Sequence, residues 1–279
     1  MTLRIFFTHV NLSSSMYTLD QKMQDIELVA FDIDGTLTES KSPLEDNPLI
    51  ETDMSDLLNK LMGRYKVAII SGASFKQFES QVLAHLTKDE ALLKNLYLLP
   101  TNGTTLCIFE AGAWQCPPVN ALSAEEKREI YDAFDKMFKE VGFTIPEHVY
   151  GEVIEDRGSQ ITFSAFGQKA PLEVKEAWDG DHHKRQAMVA ALKKHLPHFA
   201  SHIGGATSID VTRRGIDKAY GLRALLERLN MPKERLLYVG DELFPDGNDA
   251  PALEAAGTCR QVSGPEETKL VIRGLVAKV

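Results

Sequence analysis

The sequence predicts an α/β protein, a parallel sheet with helices on its faces, interrupted by a separate α+β unit. Three observations carry that prediction. Short apolar runs alternate with amphipathic stripes at both ends of the chain, the rhythm of strand, helix, strand that favours parallel sheets. That rhythm is lost in the middle third. Small polar and acidic residues sit directly after the apolar runs, where open α/β sheets gather their ligands. At 279 residues the chain is long for one core and suits two units, or one domain carrying a large insertion.

Taken in order, the opening stretch is poor in structural signal. Ile5-Phe6-Phe7 is too short for a signal-peptide core and no small-residue cleavage site follows. Residues 1–25 are therefore expected to form a disordered extension, and translation from Met16 or Met23 would lose no assignable element. Leu28-Val29-Ala30-Phe31 reads as a strand. Thr52-Asp53 is placed to cap a helix whose Met54, Leu57, Leu58, Leu61 and Met62 form an i, i+3, i+4, i+7, i+8 stripe closed by Gly63. Lys66-Val67-Ala68-Ile69-Ile70 is a second strand, ending in Ser71-Gly72-Ala73-Ser74. A third run, 96–99, stops at Pro100, and Thr101-Asn102-Gly103 reads as a turn.

Beyond this point Ser123-x-x-Glu126 forms a capping box opening a helix with Ile130, Phe134, Met137, Phe138 and Val141 inward, and Gly142 ends it. Gln160-Ile161-Thr162-Phe163-Ser164 reads as a strand, 185–195 as a helix with Met188, Val189 and Leu192 inward, and 207–211 as a strand. The first rhythm then returns. Residues 218–229 form an amphipathic helix with Leu222, Leu225, Leu226 and Leu229, Leu236-Leu237-Tyr238-Val239 is a buried-type strand, and a further helix runs from near Asn248 to Gly257. The simplest organisation is a core of 26–115 and 212–279 split by an inserted unit at 116–211. There is no internal repeat.

A net charge of −9 argues against nucleic acid or anionic membrane as the main partner. It leaves room for a phosphorylated small molecule, because a metal ion and a few lysines reverse the sign inside one cleft. No apolar run approaches the roughly 18 residues that span a bilayer. Cys107, Cys116 and Cys259 fit neither a disulfide framework nor a zinc spacing, and are expected to be reduced thiols of a cytoplasmic protein.

The chemistry concentrates in Phe31-Asp32-Ile33-Asp34-Gly35-Thr36-Leu37-Thr38. Side chains two apart in an extended segment share a side, so the carboxylates of Asp32 and Asp34 converge beyond the strand, and Gly35 lets the chain turn sharply. Crowded carboxylates are relieved by a divalent cation, which also neutralises an incoming phosphate. One aspartate can then attack phosphorus while the other handles the proton of the leaving or entering oxygen. Alone, Asp-x-Asp-Gly also describes an Asx-rich turn. Three further clusters decide between the readings. Ser71 has a hydroxyl and the neighbouring Gly72 N–H to hold a phosphate oxygen. Lys218 opens a helix, where the macrodipole disfavours a cation, which suggests pairing with Asp32 and a transferring phosphoryl group. The run from Gly240-Asp241 to Asn248-Asp249 is an acidic loop suited to Mg²⁺, which takes few carboxylates and keeps its waters.

These four motifs, in this order, resemble the haloacid dehalogenase superfamily in its type IIB cap branch, and within it the eukaryotic-type phosphomannomutases over most of residues 27 to 275. The resemblance implies a Rossmann-like core with an α+β cap, Asp32 as nucleophile, Asp34 as general acid/base, Ser71 as phosphate anchor and Lys218 as electrostatic partner. It further implies Mg²⁺ held by Asp32, the Asp34 carbonyl and Asp241, with Asp249 supporting or joining them. Gly204-Gly205-Ala206-Thr207-Ser208-Ile209-Asp210-Val211 looks like the stretch joining cap to core, with Ser208 and Asp210 at positions that contact the sugar.

In these mutases cap arginines bind the non-reacting phosphate, and here the match is partial. Arg157 sits at the first position, Gln168 at the second and Lys175 at the third, while Lys41 stands for a core arginine. A mutase holds either end of a bisphosphate and needs planar, bidentate pairing, which Arg supplies and Lys or Gln does not. The expected activity is therefore Mg²⁺-dependent phosphoryl transfer from a sugar phosphate, with a phosphatase favoured over a phosphomannomutase and a non-catalytic sugar-phosphate-binding protein as a remote third reading. The resemblance also makes a homodimer through the cap an expectation. His182-His183 reads as a solvated helix start, Trp114 and Trp178 as packing residues, and Glu152, Glu155 and Asp156 as surface.

Overall fold

Leu28, Val29, Ala30 and Phe31 are all fully buried, and their side chains divide between two cores. This first strand, β1 (Leu28–Phe31), is the middle one of five parallel strands in a seven-stranded sheet, in a computed structural model that describes residues 25–39, 48–117, 120–204, 207–245 and 247–277. The extension expected at the start of the chain lies outside the described residues, apart from Asp25. Because neighbours in a strand face opposite sides, a strand buried on both reads as an unbroken apolar run. Val29 and Phe31 pack into one core, and Leu28 and Ala30 into the other.

The remaining strands of this sheet are β2 (Lys66–Ile70), β3 (Leu96–Leu99), β4 (Cys107–Glu110), β5 (Ala113–Gln115), β10 (Leu236–Gly240) and β11 (Thr258–Gln261). Their order is β11-β10-β1-β2-β3-β4-β5. The first five are parallel, and β4 and β5 add an antiparallel hairpin at one edge. On one face, α1 (Thr52–Met62) buries Met54, Leu58 and Leu61 beside Ile272 and Leu275 of α9 (Pro265–Ala277). The N-cap of α1 is Glu51, one residue earlier than the Thr52-Asp53 cap expected, and it makes no side-chain cap bond. On the other face, α7 (Lys218–Leu229) buries Ala219, Leu222, Leu225 and Leu226. The helix expected from 248 to 257 shrinks to α8 (Ala252–Ala255), because the Asp249 side chain is drawn back onto the Glu242 N–H at 2.9 Å.

A second sheet, antiparallel, has the order β6 (Ile154–Asp156), β7 (Gln160–Ser164), β9 (Ser208–Arg213), β8 (Phe199–Gly204). One face of it is covered by α4 (Ala124–Val141) and α6 (His183–His195), through Ile130, Phe134, Met137, Met188 and Leu192 against Ile161, Phe163, Ile209 and Val211. The capping box at α4 is present. Glu126 N–H donates to Ser123 Oγ at 3.2 Å, Ser123 N–H donates to Glu126 Oε2 at 2.7 Å, and Gly142 closes the helix in the left-handed region. Between these elements lie α2 (Phe75–Gln81), α3 (Glu90–Leu93) and α5 (Leu172–Asp179). Among the described residues, no helix is long and apolar enough to cross a membrane.

Two expectations are corrected here. Cys107 and Cys116 form a disulfide, leaving Cys259 as the free thiol. The hairpin register pairs Ile108 with Gln115 and Phe109 with Trp114, so the next positions outward, Cys107 and Cys116, face each other with Cα atoms 4.1 Å apart. Glu155 is not a free surface carboxylate, since it lies 2.7 Å from the Arg157 guanidinium.

Candidate active site

Asp32 follows β1 directly, and its N–H donates to the Val239 carbonyl of β10 at 3.1 Å. The chain then turns tightly, with the N–H groups of Thr36, Leu37 and Thr38 all converging on the Ile33 carbonyl. Asp32 is thereby left at the carboxyl end of the central strand, buried, with Lys218 Nζ 2.9 Å from its Oδ1.

Lys218 is the first residue of α7, whose N-cap Asp217 accepts from the Tyr220 N–H at 2.8 Å. A cation there opposes the helix dipole, and two carboxylates offset the cost. Besides Asp32, Asp249 Oδ1 lies 2.5 Å from Nζ, and Asn248 Oδ1 accepts from the same ammonium. Burial disfavours the Lys218 charge, but Asp32 and Asp249 outweigh it and hold the pKa above the usual lysine range. Asp249 is fully buried and takes additional bonds from the Tyr238 hydroxyl and the Glu242 N–H. Its approach explains Gly240, where a Cβ would lie 2.3 Å from Asp249 Oδ2.

Asp241, at the end of β10, completes a trio. Carboxylate oxygens of Asp32, Asp241 and Asp249 lie within 4.8 Å of one another. Asp241 accepts from the Thr36 hydroxyl at 3.2 Å, and burial together with the Asp249 charge lifts its pKa to about 6. Burial likewise raises Asp32 against the opposing pull of Lys218, with Asp249 and Asp34 pushing the same way as burial. Oxygen-only donors under this repulsion fit a hard divalent cation such as Mg²⁺. The Asp34 carboxylate stands outside that trio and accepts from Gln81 Nε2 at 3.4 Å.

Ser71 ends β2 one strand away, and its Oγ accepts from the Ala73 N–H at 3.2 Å. The adjacent Gly72 is where the two sheets meet. Arg157, beyond β6, donates from its Nη1 to the Gly72 carbonyl at 3.2 Å. A Cβ placed on Gly72 would be 3.7 Å from Asp210 Oδ2 of β9. Ser159 also reaches across, bonding to the hydroxyls of Thr104 and, at 3.3 Å, Thr101. Asp210 Oδ1 accepts from the Thr162 hydroxyl at 2.7 Å, and the Ser208 and Ser164 hydroxyls share a bond of 2.7 Å. Lys175 Nζ donates to the Gln168 carbonyl at 3.2 Å, while Gln168 Nε2 is buried with no hydrogen-bond partner among the described residues. Lys41 lies outside the described residues.

Sequence reasoning missed four contributors: Tyr238, Asn248, Thr36 and Glu155. Tyr238 was hidden in an apolar strand, and Asn248 within an acidic loop read as a whole. Thr36 and Glu155 carried no pattern of their own. Trp114 packs edge-on against Phe109 at 5.5 Å and Trp178 against Phe143 at 6.0 Å, as packing residues do.

An α/β sheet that gathers its charged side chains beyond β1, β2 and β10, beneath an inserted antiparallel sheet, places the protein in the haloacid dehalogenase superfamily. A haloacid dehalogenase-like hydrolase from Bacteroides thetaiotaomicron superposes with a TM-score of 0.60 at 16% identity, over 90% of this chain and 99% of that one. N-terminally truncated IMP-nucleotidase from Plasmodium falciparum superposes with a TM-score of 0.66 at 18% identity, over 98% and 84%. At such identities the likeness concerns the fold. The sequence profile described as eukaryotic phosphomannomutase matches residues 54–278, and the chain belongs to that family. It is 28% identical to the phosphomannomutase of Spinacia oleracea over 249 residues, 86% of this chain and 92% of the relative. With phosphomannomutase 2 of Dictyostelium discoideum it shares 27% over 225 residues, covering 78% and 83%.

Proposed function

We propose that the chain is an Mg²⁺-dependent enzyme that moves the phosphoryl group of a sugar phosphate through an aspartyl-phosphate on Asp32, with water as the favoured acceptor. The observation that carries this reading is the buried Lys218 ammonium held between Asp32 and Asp249 at the carboxyl end of the central strands. Asp32 attacks phosphorus as the bond to the sugar oxygen breaks, and Asp34 supplies the proton that oxygen takes. Asp34 then removes a proton from water, which attacks the phosphoryl group and releases inorganic phosphate with Asp32 regenerated. Asp32 and Asp241, with Asp249 behind them, would hold Mg²⁺, which when bound neutralises phosphate charge. Lys218 and the Ser71 hydroxyl supply fixed complementary charge and hydrogen bonding, the main resource in phosphoryl transfer.

Hydrolysis is favoured by the cap. Of the three positions that carry arginine in the mutases, Arg157 is paired with Glu155 and the Gly72 carbonyl, Gln168 is neutral and Lys175 is a point charge. A second reading, the interconversion of mannose 6-phosphate and mannose 1-phosphate, is favoured by family membership. The deciding experiment supplies mannose 6-phosphate and Mg²⁺, with and without glucose 1,6-bisphosphate, and follows inorganic phosphate and mannose 1-phosphate together. Phosphate release without the bisphosphate, abolished in Asp32→Asn, is the expected result. Bisphosphate-dependent mannose 1-phosphate outrunning phosphate release would assign the mutase instead.

A further inference from the structure

Three consecutive residues after β3 have positive φ: Thr101 at 50°, Asn102 at 55° and Gly103 at 83°. For β-branched Thr101 this is a genuine outlier, and such strain persists only where the surroundings over-determine it. They do so here. The N–H groups of Thr101 and Asn102 donate to the carbonyls of Ala73 and Ser71 at 3.0 and 2.9 Å, and the Thr101 hydroxyl bonds to Thr104 and Ser159. The backbone presses so closely on α7 that a Cβ on Gly103 would lie 2.3 Å from the Gly221 Cα.

What this tension positions is the Asn102 side chain. It is half-buried, its amide has no hydrogen-bond partner among the described residues, and a Cβ on Gly72 would lie 3.7 Å from both its Nδ2 and Asp210 Oδ2. Asn102 therefore borders the same point as Ser71-Gly72, on the seven-stranded sheet, and Asp210, on the four-stranded one. Resting on the sugar-phosphate reading above, the geometry points to Asn102 as a substrate-binding residue whose amide hydrogen-bonds the hydroxyls of a phosphorylated polyol between core and cap. With an amide donor and an amide acceptor beside the Asp210 carboxylate, it suits the donor-and-acceptor pattern of neighbouring hydroxyls better than the acceptor-only phosphate.

The test uses Asn102→Gly, which tolerates positive φ and adds no charge beside Ser71-Gly72, so a merely structural role in the turn leaves it near wild type. Affinity for mannose 6-phosphate is measured by calorimetry in the full-length Asp32→Asn background, with inorganic phosphate as a second ligand and thermal midpoints as a folding control. A loss of about tenfold or more in sugar-phosphate affinity is expected, as for one or two lost hydrogen bonds, with phosphate affinity changed less than threefold and midpoints unmoved. Sugar-phosphate affinities within twofold of the parent, or an equal loss for inorganic phosphate, overturn the inference while leaving phosphoryl transfer intact if Asp32→Asn abolishes turnover. The expected affinity loss in a protein whose Asp32-intact form shows no turnover would instead sustain Asn102 and overturn the catalytic reading.

Discussion

Replacing Lys218 with methionine keeps the aliphatic stem and removes the ammonium between two carboxylates. All three side chains are buried, with exposures of 4% for Lys218, 5% for Asp32 and 0% for Asp249. Removing one partner of such a group leaves uncompensated charge in a low-dielectric interior and costs about 3–5 kcal/mol. For a chain of this size each kcal/mol moves the midpoint by about 2–4 °C, so Lys218→Met should unfold roughly 6–20 °C lower. Adding Asp249→Asn removes one of the stranded charges and keeps an oxygen for the Tyr238 hydroxyl. The double variant should therefore recover roughly half of the loss, a coupling expected of residues in direct contact. Urea and thermal melts followed by circular dichroism, in the presence of a chelator so that no divalent cation replaces the ammonium, measure both. A loss in Lys218→Met below about 1 kcal/mol, the range of exposed pairs, would refute the view that this cation neutralises the site.

Other perturbations test the supporting structure. Asp179 is buried beside Arg185, whose Nε lies 2.7 Å from its Oδ2; burial pushes the carboxyl up, but bonds from Arg185 and the Lys184 and Arg185 N–H groups outweigh it and leave the pKa low. A depressed folded pKa stabilises above the unfolded value and is lost as pH falls through the folded one, so urea midpoints between pH 7 and pH 3 should fall more steeply for wild type than for Asp179→Asn. Ser123→Ala breaks the α4 capping box and should cost about 1 kcal/mol, read from denaturant melts. Cys116→Ser opens the Cys107–Cys116 bridge, and the short loop it closes predicts a loss of about 2–3 kcal/mol, measured against oxidised wild type.

Four of the five parallel strands, β1, β2, β3 and β10, were legible in the chain itself, as were the α4 capping box and the motif residues beyond β1, β2 and β10; the edge strand β11, half-exposed and polar, carried no apolar run to announce it. Periodicity and capping are properties of a few neighbouring residues, and each strand end announces where its side chains emerge. The order of these strands, and hence which strand ends adjoin, follows from tertiary pairing. That pairing brings Lys218 to Asp32 and Asp249 together, and it sets Cys107 opposite Cys116 through a hairpin register that spacing alone did not reveal. It also turns Thr101-Asn102-Gly103 from an ordinary turn into a strained one facing Gly72. Such contacts join residues remote in sequence, or depend on a register that a one-residue slip would reverse. Local pattern therefore determined the elements and the residues they present, and the order and register of the strands, with the helices packed on them, decided which of those residues meet.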